Sequence, residues 1–474
     1  MNFRLSPQPL SGFRQTTLLG TAVYMILLVL AAVFYLERMA VLDMAFQTFQ
    51  ILRTGSLQIQ SGRFGAAGTQ FFAWAAQAIN LPLKAVLYSY SLGHVLYYFL
   101  IFLIITLGLR QWKWALVLVL LSTLMTTHTF YWLSEMPQGL AFLILILAWL
   151  DFKGEIKALR WWEYPVCIVA LIAAFYFHPM VLYAMLFCAM FFFFEKQRSK
   201  GNRTLFLCAA LIFLITALVK YKVLKLDWYD AMSLERAKAY GALWPHWFAI
   251  KSNRDFLQWC LFDYYLVPIL TAVNTGFYIW KKQWLKAVLA TFAPIGFVLL
   301  VNVPFHQGDN QFYLENLYLP LAIFTAVPLI FDVLPSTLPE KRIWLAIAGI
   351  SALGLLRITL AHRNWSARVN WEQGILEKTA SLPNRKLILT EEQAPMDTLI
   401  LSWGSAYEFL LLSALEHPDS ARCLIIDEAA WRFDSLRNEP DLFLGEFKNY
   451  PFEALPKRYF NCQDRSGYTP YSPN

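Results

Sequence analysis

The first polar stretch of the chain carries acidic and basic side chains of the kinds used in group transfer. It runs from residue 35 to 84 and follows a long uncharged apolar run. Asp43 stands at its centre, and its carboxylate can accept a proton from a hydroxyl group. Cations beside such a carboxylate can stabilise a departing phosphate. The other charges of this part of the chain are Glu37, Arg38, Arg53 and Arg63.

Two surface helices are predicted to position these side chains. In the first, apolar residues recur at helical spacing between Leu42 and Leu52, with Asp43 on the opposite, polar face. Gly55 is expected to end this helix. A second helix, ahead of Pro82, is rich in Phe and Trp on one side. Helices of this kind lie at a membrane surface.

The composition of the chain indicates a membrane protein. Hydrophobic residues make up 58% of the chain and charged residues 15%, so the bilayer is the expected solvent. The net charge of +8 is spread over short basic clusters between apolar runs, as the orientation of membrane helices requires. We therefore expect no nucleic-acid partner.

The apolar runs predict an α-helical polytopic membrane protein with about eleven transmembrane helices. Each predicted span is bounded by polar or basic loops, although several spans are short or closely spaced. The predicted spans are 16–36, 85–108, 113–130, 138–151, 163–177, 180–194, 204–220, 258–280, 284–303, 314–332 and 342–361.

The basic loops predict the orientation of the chain. Arg4 and Arg14 precede the first span, which has no cleavage site and is expected to stay in place with the amino terminus in the cytoplasm. Alternate loops are basic, in agreement with the positive-inside rule. With an odd number of spans the carboxy terminus lies outside, in the periplasm if the membrane is a bacterial inner membrane.

Two domains follow from the distribution of charge. Residues 1–361 form the predicted transmembrane domain, with a first outer loop at 37–84, and residues 362–474 form a small extramembrane α/β domain. Strands are expected at 385–390 and 422–427, with a helix at 407–415 between them.

Cysteine use supports a disulfide in the carboxy-terminal domain. Cys423 and Cys462 are the only two cysteines there, and in an oxidising compartment they are predicted to pair. The other four cysteines lie in or beside spans and are interpreted as small packing residues.

The predicted outer loops contain most of the other candidate site residues. Glu135 opens the fourth span, and His178 lies in the turn after the fifth. A long loop near residues 220–255 is basic despite lying outside, so it is either simply solvated or a surface that binds phosphate. The remaining candidates in these loops are Lys222, Arg254, His306 and Asp309.

Four features resemble glycosyltransferases of the GT-C class, integral membrane enzymes that take sugars from polyprenyl-phosphate carriers. They are Asp43 within LERMAVLDMAFQTFQIL, Glu135 within WLSEMPQGLAF, FHPM at His178, and the outer carboxy-terminal domain. The resemblance implies that Asp43 is the catalytic base. Some members of the class carry an Asp-Asp or Asp-Glu pair at this place, and no such pair stands beside Asp43. The sequence therefore indicates no metal site, and dependence on a divalent ion is left open.

The remaining roles follow from the chemistry of sugar transfer. Glu135 and His178 are expected to assist catalysis, and Arg63 or the basic loop is expected to hold the leaving phosphate. The predicted partners are a lipid-linked sugar donor and membrane lipids, with no cofactor. The predicted substrate-binding residues are Glu37, Arg63, Lys222, Arg254, His306 and Asp309.

Each residue also has a simpler interpretation. Asp43 can be a helix cap or a solvated acid, Glu135 can stabilise a helix dipole, and His178 can be a turn residue. For the whole chain the alternatives are a transporter or flippase, a polysaccharide polymerase or ligase, or a noncatalytic scaffold. Scarce charges within the spans favour the transferase over the transporter. The oligomeric state is left open.

Overall fold

Long apolar helices make up most of the protein. The computed structural model describes residues 10–428, 430–436 and 438–472. Arg4, at the predicted cytoplasmic amino terminus, lies outside the described residues. The helices up to residue 222 are α1 (Leu10–Val33), α2 (Tyr35–Met39), α3 (Leu42–Thr54), α4 (Ala67–Ala78), α5 (Leu83–Leu103), α6 (Trp112–Leu124), α7 (Glu135–Lys153), α8 (Glu163–Phe177), α9 (Val181–Phe193) and α10 (Lys200–Lys222).

The second half of the chain begins with short helices and ends in the α/β region. Its helices are α11 (Trp228–Arg236), α12 (Ala239–Ala242), α13 (Lys251–Phe262), α14 (Leu266–Trp280), α15 (Trp284–Asn302), α16 (Gln311–Tyr318), α17 (Pro320–Pro328), α18 (Leu334–Thr337), α19 (Glu340–Thr379), α20 (Met396–Leu399) and α21 (Ser405–Ser413). The strands are β1 (Lys386–Thr390), β2 (Cys423–Asp427), β3 (Leu442–Phe443), β4 (Tyr450–Pro451) and β5 (Thr469–Pro470).

Seven helical stretches in the described residues are long and apolar enough to cross a membrane, which indicates a membrane protein. Some continue through short π-helical or 3-10 segments. They are Gly12–Val33, Leu83–Gly108, Glu135–Lys153, Lys200–Lys222, Trp284–Phe305, Pro320–Thr337 and Glu340–Thr379.

The predicted number of eleven spans is not confirmed. α13 and α14 together make an eighth candidate, but they are bent by 90° at the break between them. Three of the predicted spans correspond to the shorter apolar helices α6, α8 and α9. At 1.5 Å per residue a helix of this kind is only about 20 Å long, less than the hydrocarbon thickness of about 30 Å.

The core of the helical part lies around α6. Residues 114–121 of α6 are buried on every side, and this helix packs against α7, α17 and α19. By contrast, α10 and α15 leave large apolar side chains exposed, such as Leu218 and Phe292. Helices apolar all round are typical of membrane interiors, and the exposed residues are those expected to meet lipid.

The carboxy-terminal region is a small α/β unit, as predicted. β1 pairs in parallel with β2, from Lys386 opposite Cys423 to Thr390 opposite Asp427, and β5 adds to the other edge of β1. α21 lies between β1 and β2 in the chain and packs on β2. β3 and β4 form a separate antiparallel pair.

The connection to this unit is the single helix α19. Its 40 residues make it about 60 Å long, so it extends well beyond one bilayer crossing. The predicted domain boundary at 361–362 falls inside this helix. Its second half carries Arg368 and Glu372 against the α/β unit, where both side chains are buried.

The two cysteines that are predicted to form a disulfide lie side by side. Cys423 on β2 and Cys462 have their Sγ atoms 3.8 Å apart, and both are free thiols. The disulfide therefore stays a prediction.

The first predicted surface helix forms, but it is covered by protein. α3 ends at Gly55, which adopts the left-handed conformation with φ 67°, as predicted. Its apolar face packs on the α/β unit, where the Phe49 ring contacts Tyr407, Phe443 and Tyr450. The expectation that α3 lies on the membrane surface is wrong, because aromatic side chains from the carboxy-terminal region bury its apolar face.

Candidate active site

Asp43 lies in the first turn of α3, next to the boundary with the α/β unit. Its side chain is partly buried. Within the described part of the chain, its carboxylate takes part in no hydrogen bond or ion pair, although Glu135 and Arg63 act on it electrostatically. Val41, not Asp43, occupies the helix cap. The carboxylate therefore has oxygen atoms ready to accept a proton or a hydrogen bond from a ligand.

The environment of Asp43 favours its protonated form. Burial raises the pKa of the Asp43 carboxyl to about 7, and the negative charge of Glu135 acts in the same direction. The positive charge of Arg63 lowers this pKa and opposes both effects. A carboxyl group that titrates near neutral pH has the proton affinity expected of a general base.

Arg63 links the first loop to α7. Its Nη1 atom lies 3.3 Å from Oε2 of Glu135, and its guanidinium group stands 4.7 Å from the centre of the Tyr229 ring. The turn that follows Arg63 packs tightly on the end of α8. A Cβ atom at Gly65 would overlap the Phe177 ring, so glycine is needed to bring the turn and α8 together.

Glu135 begins α7, where the preceding Ser134 acts as the cap. The Ser134 hydroxyl accepts a hydrogen bond from Met136 N at 3.4 Å and donates one to Oδ1 of Asn316 at 2.8 Å. Glu135 thus lies at the positive end of the α7 dipole, as predicted. Its second interaction, with Arg63, places it in the same cluster as Asp43.

His178 follows α8 and stays neutral. Burial, together with the positive charges of Arg63 and Lys220, holds the pKa of the His178 imidazole well below its usual range. Its Nδ1 atom accepts a hydrogen bond from Met180 N at 3.2 Å. The proton of the neutral ring therefore sits on Nε2, which can donate a hydrogen bond.

A buried ion pair includes Lys220, whose charge acts on His178. Nζ of Lys220, at the end of α10, is 2.6 Å from Oδ2 of Asp230 on α11. Sequence reasoning found the basic loop but not this pair. The only signal was one Lys and one Asp at the two ends of VKYKVLKLDWYD, and nothing in the spacing showed that they meet.

Amide side chains hold the polar face of α3 in place. Gln47, one turn after Asp43, accepts hydrogen bonds from Nε2 of Gln70 and from the hydroxyl of Tyr90, each at 3.2 Å. Gln70 also accepts a bond from Gln58 N at 2.7 Å. These bonds join α3 to α4 and α5 next to the charged cluster.

The other predicted substrate-binding residues lie elsewhere. Glu37 accepts a hydrogen bond from Ser366 on α19 at 2.6 Å, and Lys222 and Arg254 are exposed. The His306 carbonyl accepts a bond from Lys251 N, and Asp309 accepts one from Asn310 N. No contact among the described residues joins these five to Asp43. The structure brings together Asp43, Arg63, Glu135 and His178, with Lys220 beside them.

A cavity of about 130 Å³ lies beside the start of α3. Leu42 is part of its wall, whereas Asp43 is not among its lining residues. A cavity of this order accepts a six-membered ring. The other lining residues are His128, Asn310, Gln311, Phe312, Asn364, Trp365, Arg368, Thr398, Leu399 and Ile400.

One buried polar group of this cavity has no partner in the described residues. The Trp365 indole Nε1–H makes no hydrogen bond, although Trp365 is almost wholly buried. Elsewhere, the described residues contain no group of three or more His, Cys, Asp and Glu placed to hold a metal ion.

No protein family model, no curated protein and no solved structure matches this chain.

Proposed function

We propose that this protein is a membrane glycosyltransferase that moves a sugar from a polyprenyl-phosphate carrier to an acceptor hydroxyl. The observation that carries the proposal is the unpaired Asp43 carboxylate, with its raised pKa, next to Arg63. A general base needs an available carboxylate, and a departing phosphate needs a cation. The cluster supplies both on helices that adjoin apolar spans, where a lipid carrier is soluble.

The proposed reaction is a single displacement at the anomeric carbon. The acceptor oxygen forms a bond to that carbon while its proton passes to the Asp43 carboxylate. The bond between the anomeric carbon and the phosphate oxygen breaks, and the electron pair leaves with the polyprenyl phosphate. Arg63 stabilises this charge, and the Nε2–H group of His178 donates a hydrogen bond within the same site. One displacement inverts the configuration of the sugar.

The proposed topology has the amino terminus in the cytoplasm of a bacterium and the α/β unit in the periplasm. Eleven crossings are reached when the bent pair and the three shorter apolar helices are counted with the seven long ones. A phosphatase fused after Asn474 is expected to be active. An inactive phosphatase at this position, with an active one in the loop after α7, would reverse the orientation and place the site on the cytoplasmic face.

A transporter or flippase is the second candidate. It is favoured by the 90° break between α13 and α14, because transporters bind their substrates at broken helices. Such helices usually occur in matching pairs, and the described residues contain one bent pair. A polysaccharide polymerase or ligase uses the same kind of donor, so it differs from the proposed enzyme in its product.

The test is lipid analysis combined with the Asp43→Asn variant. Cells without the chain are expected to accumulate a polyprenyl-linked sugar. The purified protein, given that lipid, should release polyprenyl phosphate as the sugar is transferred. Asp43→Asn should reduce this release by about a hundredfold or more, because asparagine keeps the shape but cannot accept the proton.

The controls separate the candidate functions. Glu453→Gln neutralises an exposed acid of the α/β unit and should leave transfer unchanged. Unchanged transfer by Asp43→Asn would remove Asp43 as the base. Movement of intact lipid-linked sugar across vesicles, without release of polyprenyl phosphate, would identify a flippase, and a polymeric product would identify a polymerase.

A further inference from the structure

The start of α3 has a backbone conformation that leucine rarely adopts. Leu42, directly before Asp43, has φ 45°, in the left-handed region that favours glycine. Its side chain is almost completely buried. A residue keeps such a conformation only when the surrounding structure holds it there.

A buried glutamate from the α/β unit holds Leu42. The backbone N–H of Leu42 donates a hydrogen bond to Oε1 of Glu408 at 2.5 Å, across 366 positions in the chain. Glu408 lies on α21 and is fully buried. The bond satisfies the first N–H of α3, which has no partner within its own helix.

Arg368 on α19 fixes the glutamate. Its Nη2 atom lies 2.7 Å from Oε2 and 2.9 Å from Oε1 of Glu408, and its Nε atom lies 2.9 Å from Oε2. Nη1 donates to the carbonyls of Leu399 and Leu401. Glu372, one turn along α19, lies 3.3 Å from the Arg368 Nε atom. Since the Arg368, Glu372 and Glu408 side chains are all buried, Glu408 has little freedom to move.

The backbone of the α/β unit also approaches Leu42 closely. A Cβ atom added to Gly404 would lie 2.8 Å from the Leu42 Cα atom and 2.5 Å from Oε1 of Glu408. Both are closer than real Cβ atoms come to other heavy atoms. Because Gly404 has no side chain, the Glu408 carboxylate can reach the backbone of Leu42.

We propose that Glu408 is a positioning residue that fixes the start of α3 and so sets where Asp43 stands relative to Arg63 and Glu135. Asp43 has no hydrogen bond of its own in the described residues, so its position depends on the backbone of Leu42. The α/β unit is then part of the catalytic apparatus without touching the reacting atoms. The catalytic consequence rests on the proposed function, whereas the placement of Asp43 does not.

The first measurement follows Asp43 without any transfer reaction. A hydrophobic carbodiimide labels protonated carboxyl groups, and peptide mass spectrometry gives the yield at Asp43 as a function of pH. The groups whose charges act on Asp43 are Glu135 of α7 and Arg63 of the first loop. In the wild-type protein labelling is expected to fall as the pH passes about 7.

Two variants of Glu408 separate positioning from charge. Glu408→Met removes the acceptor of the Leu42 N–H and should move the midpoint of Asp43 labelling to lower pH, because a released carboxylate gains water. Glu408→Gln keeps an oxygen acceptor, and Glu372 remains as a counter-ion for Arg368, so its midpoint should stay near that of the wild type.

Gly404→Ala disturbs the same contact and keeps every charge. It should move the Asp43 midpoint as Glu408→Met does, and it replaces that variant if the methionine protein does not fold. Gly374→Ala is the matched control, because a Cβ atom there meets no neighbour within 4 Å.

Transfer assays complete the test. For folded protein, Glu408→Met and Gly404→Ala should lower kcat by about tenfold or more while the donor KM changes little, and Glu408→Gln should restore most of the rate. An unchanged midpoint and an unchanged kcat in both disruptive variants would overturn the positioning role. A shifted midpoint in a protein that transfers no sugar would keep the positioning role and reject the proposed function.

Discussion

Two charged clusters act on neighbouring residues at the start of α3, Leu42 and Asp43, and they use their charges differently. In the first, Arg368 donates to Glu408 and to two carbonyls, and Glu408 also accepts a bond from Leu42. Glu372 lies 3.3 Å from Nε of Arg368, and its oxygens make no hydrogen bond in the described residues. All these side chains are buried. In the second, Arg63 pairs with Glu135 while the Asp43 carboxylate is left without a partner in the described residues.

The difference separates a structural role from a chemical one. A buried ion pair such as Arg368–Glu408, in which both groups are hydrogen-bonded, holds elements together, and removing one partner leaves a buried charge that destabilises the fold. A partly buried carboxylate without a partner costs stability and has a raised pKa, a combination that clusters at functional sites. The first cluster positions α3, and the second is the one available to a substrate.

The largest effect that tests this difference is expected at the two arginines. Arg63→Met should reduce transfer by about a hundredfold, because the leaving phosphate loses its cation, and the amount of folded protein should fall less than in Arg368→Met, because Glu135 is only partly buried. Arg368→Met should have the opposite profile, with much less folded protein. Release of polyprenyl phosphate, normalised to folded protein by size-exclusion chromatography, measures both.

The Arg63 assay is best run at pH 9, since losing Arg63 also raises the pKa of Asp43. Arg160→Met, at an exposed arginine, is the control. If Arg63→Met transfers at the normal rate while Arg368→Met does not, the roles given to the two clusters are reversed.

A smaller effect is expected in the pH dependence of kcat/KM. The base must be deprotonated, so transfer should be low in acid, rise through about pH 7 and reach a plateau above it. Glu135→Gln removes a negative charge that raises the pKa of Asp43. In this variant kcat/KM should therefore rise at a lower pH than in the wild-type protein. A shift of about one unit would increase the rate at pH 6, relative to the plateau, by about fivefold.

Glu453→Gln serves as the control for the pH profile, because it neutralises an exposed carboxylate of the α/β unit. If kcat/KM of Glu135→Gln rises at the same pH as that of the wild-type protein, the group that titrates is not the Asp43 carboxylate. The observed midpoint would then belong to another group of the site.

Local pattern was enough to predict several of these elements. The spacing of apolar residues gave α3 and its end at Gly55, because both depend on residues within a few turns. The apolar runs at 386–390 and 423–427 gave the paired strands β1 and β2 for the same reason. Arg63 was predicted from its charge and its place next to a span, and Asp43, Glu135 and His178 also from the GT-C resemblance.

The arrangement around Leu42 could not be predicted from the sequence. Glu408 lies 366 positions away, and nothing in SAYEFLLLS distinguishes a glutamate that binds a backbone N–H from a solvated one. The same is true of Lys220 and Asp230, whose pairing depends on how α10 and α11 fold back. The predicted site residues Lys222 and Arg254 were selected by charge alone, which does not indicate the direction of a side chain.

The smallest effect, and a direct comparison of the two clusters, is expected in thermal unfolding. The pKa of Asp43 is about 7 in the folded protein, well above its unfolded value of about 3.9. The folded state therefore favours the protonated carboxyl, and this contribution to stability is lost as the pH rises from about 4 to 7.

At pH 8 the ionised Asp43 destabilises the fold, and Asp43→Asn should raise Tm by about 1 to 3 °C. The gain should be smaller at pH 5, where Asp43 is protonated in the folded state. Glu408→Gln should instead lower Tm at both pH values, since Arg368 loses the carboxylate that accepts its hydrogen bonds. Scanning fluorimetry in detergent measures both variants. A lower Tm for Asp43→Asn at pH 8 would show that the Asp43 carboxylate stabilises the fold, as Glu408 does, and would end the distinction between the two clusters.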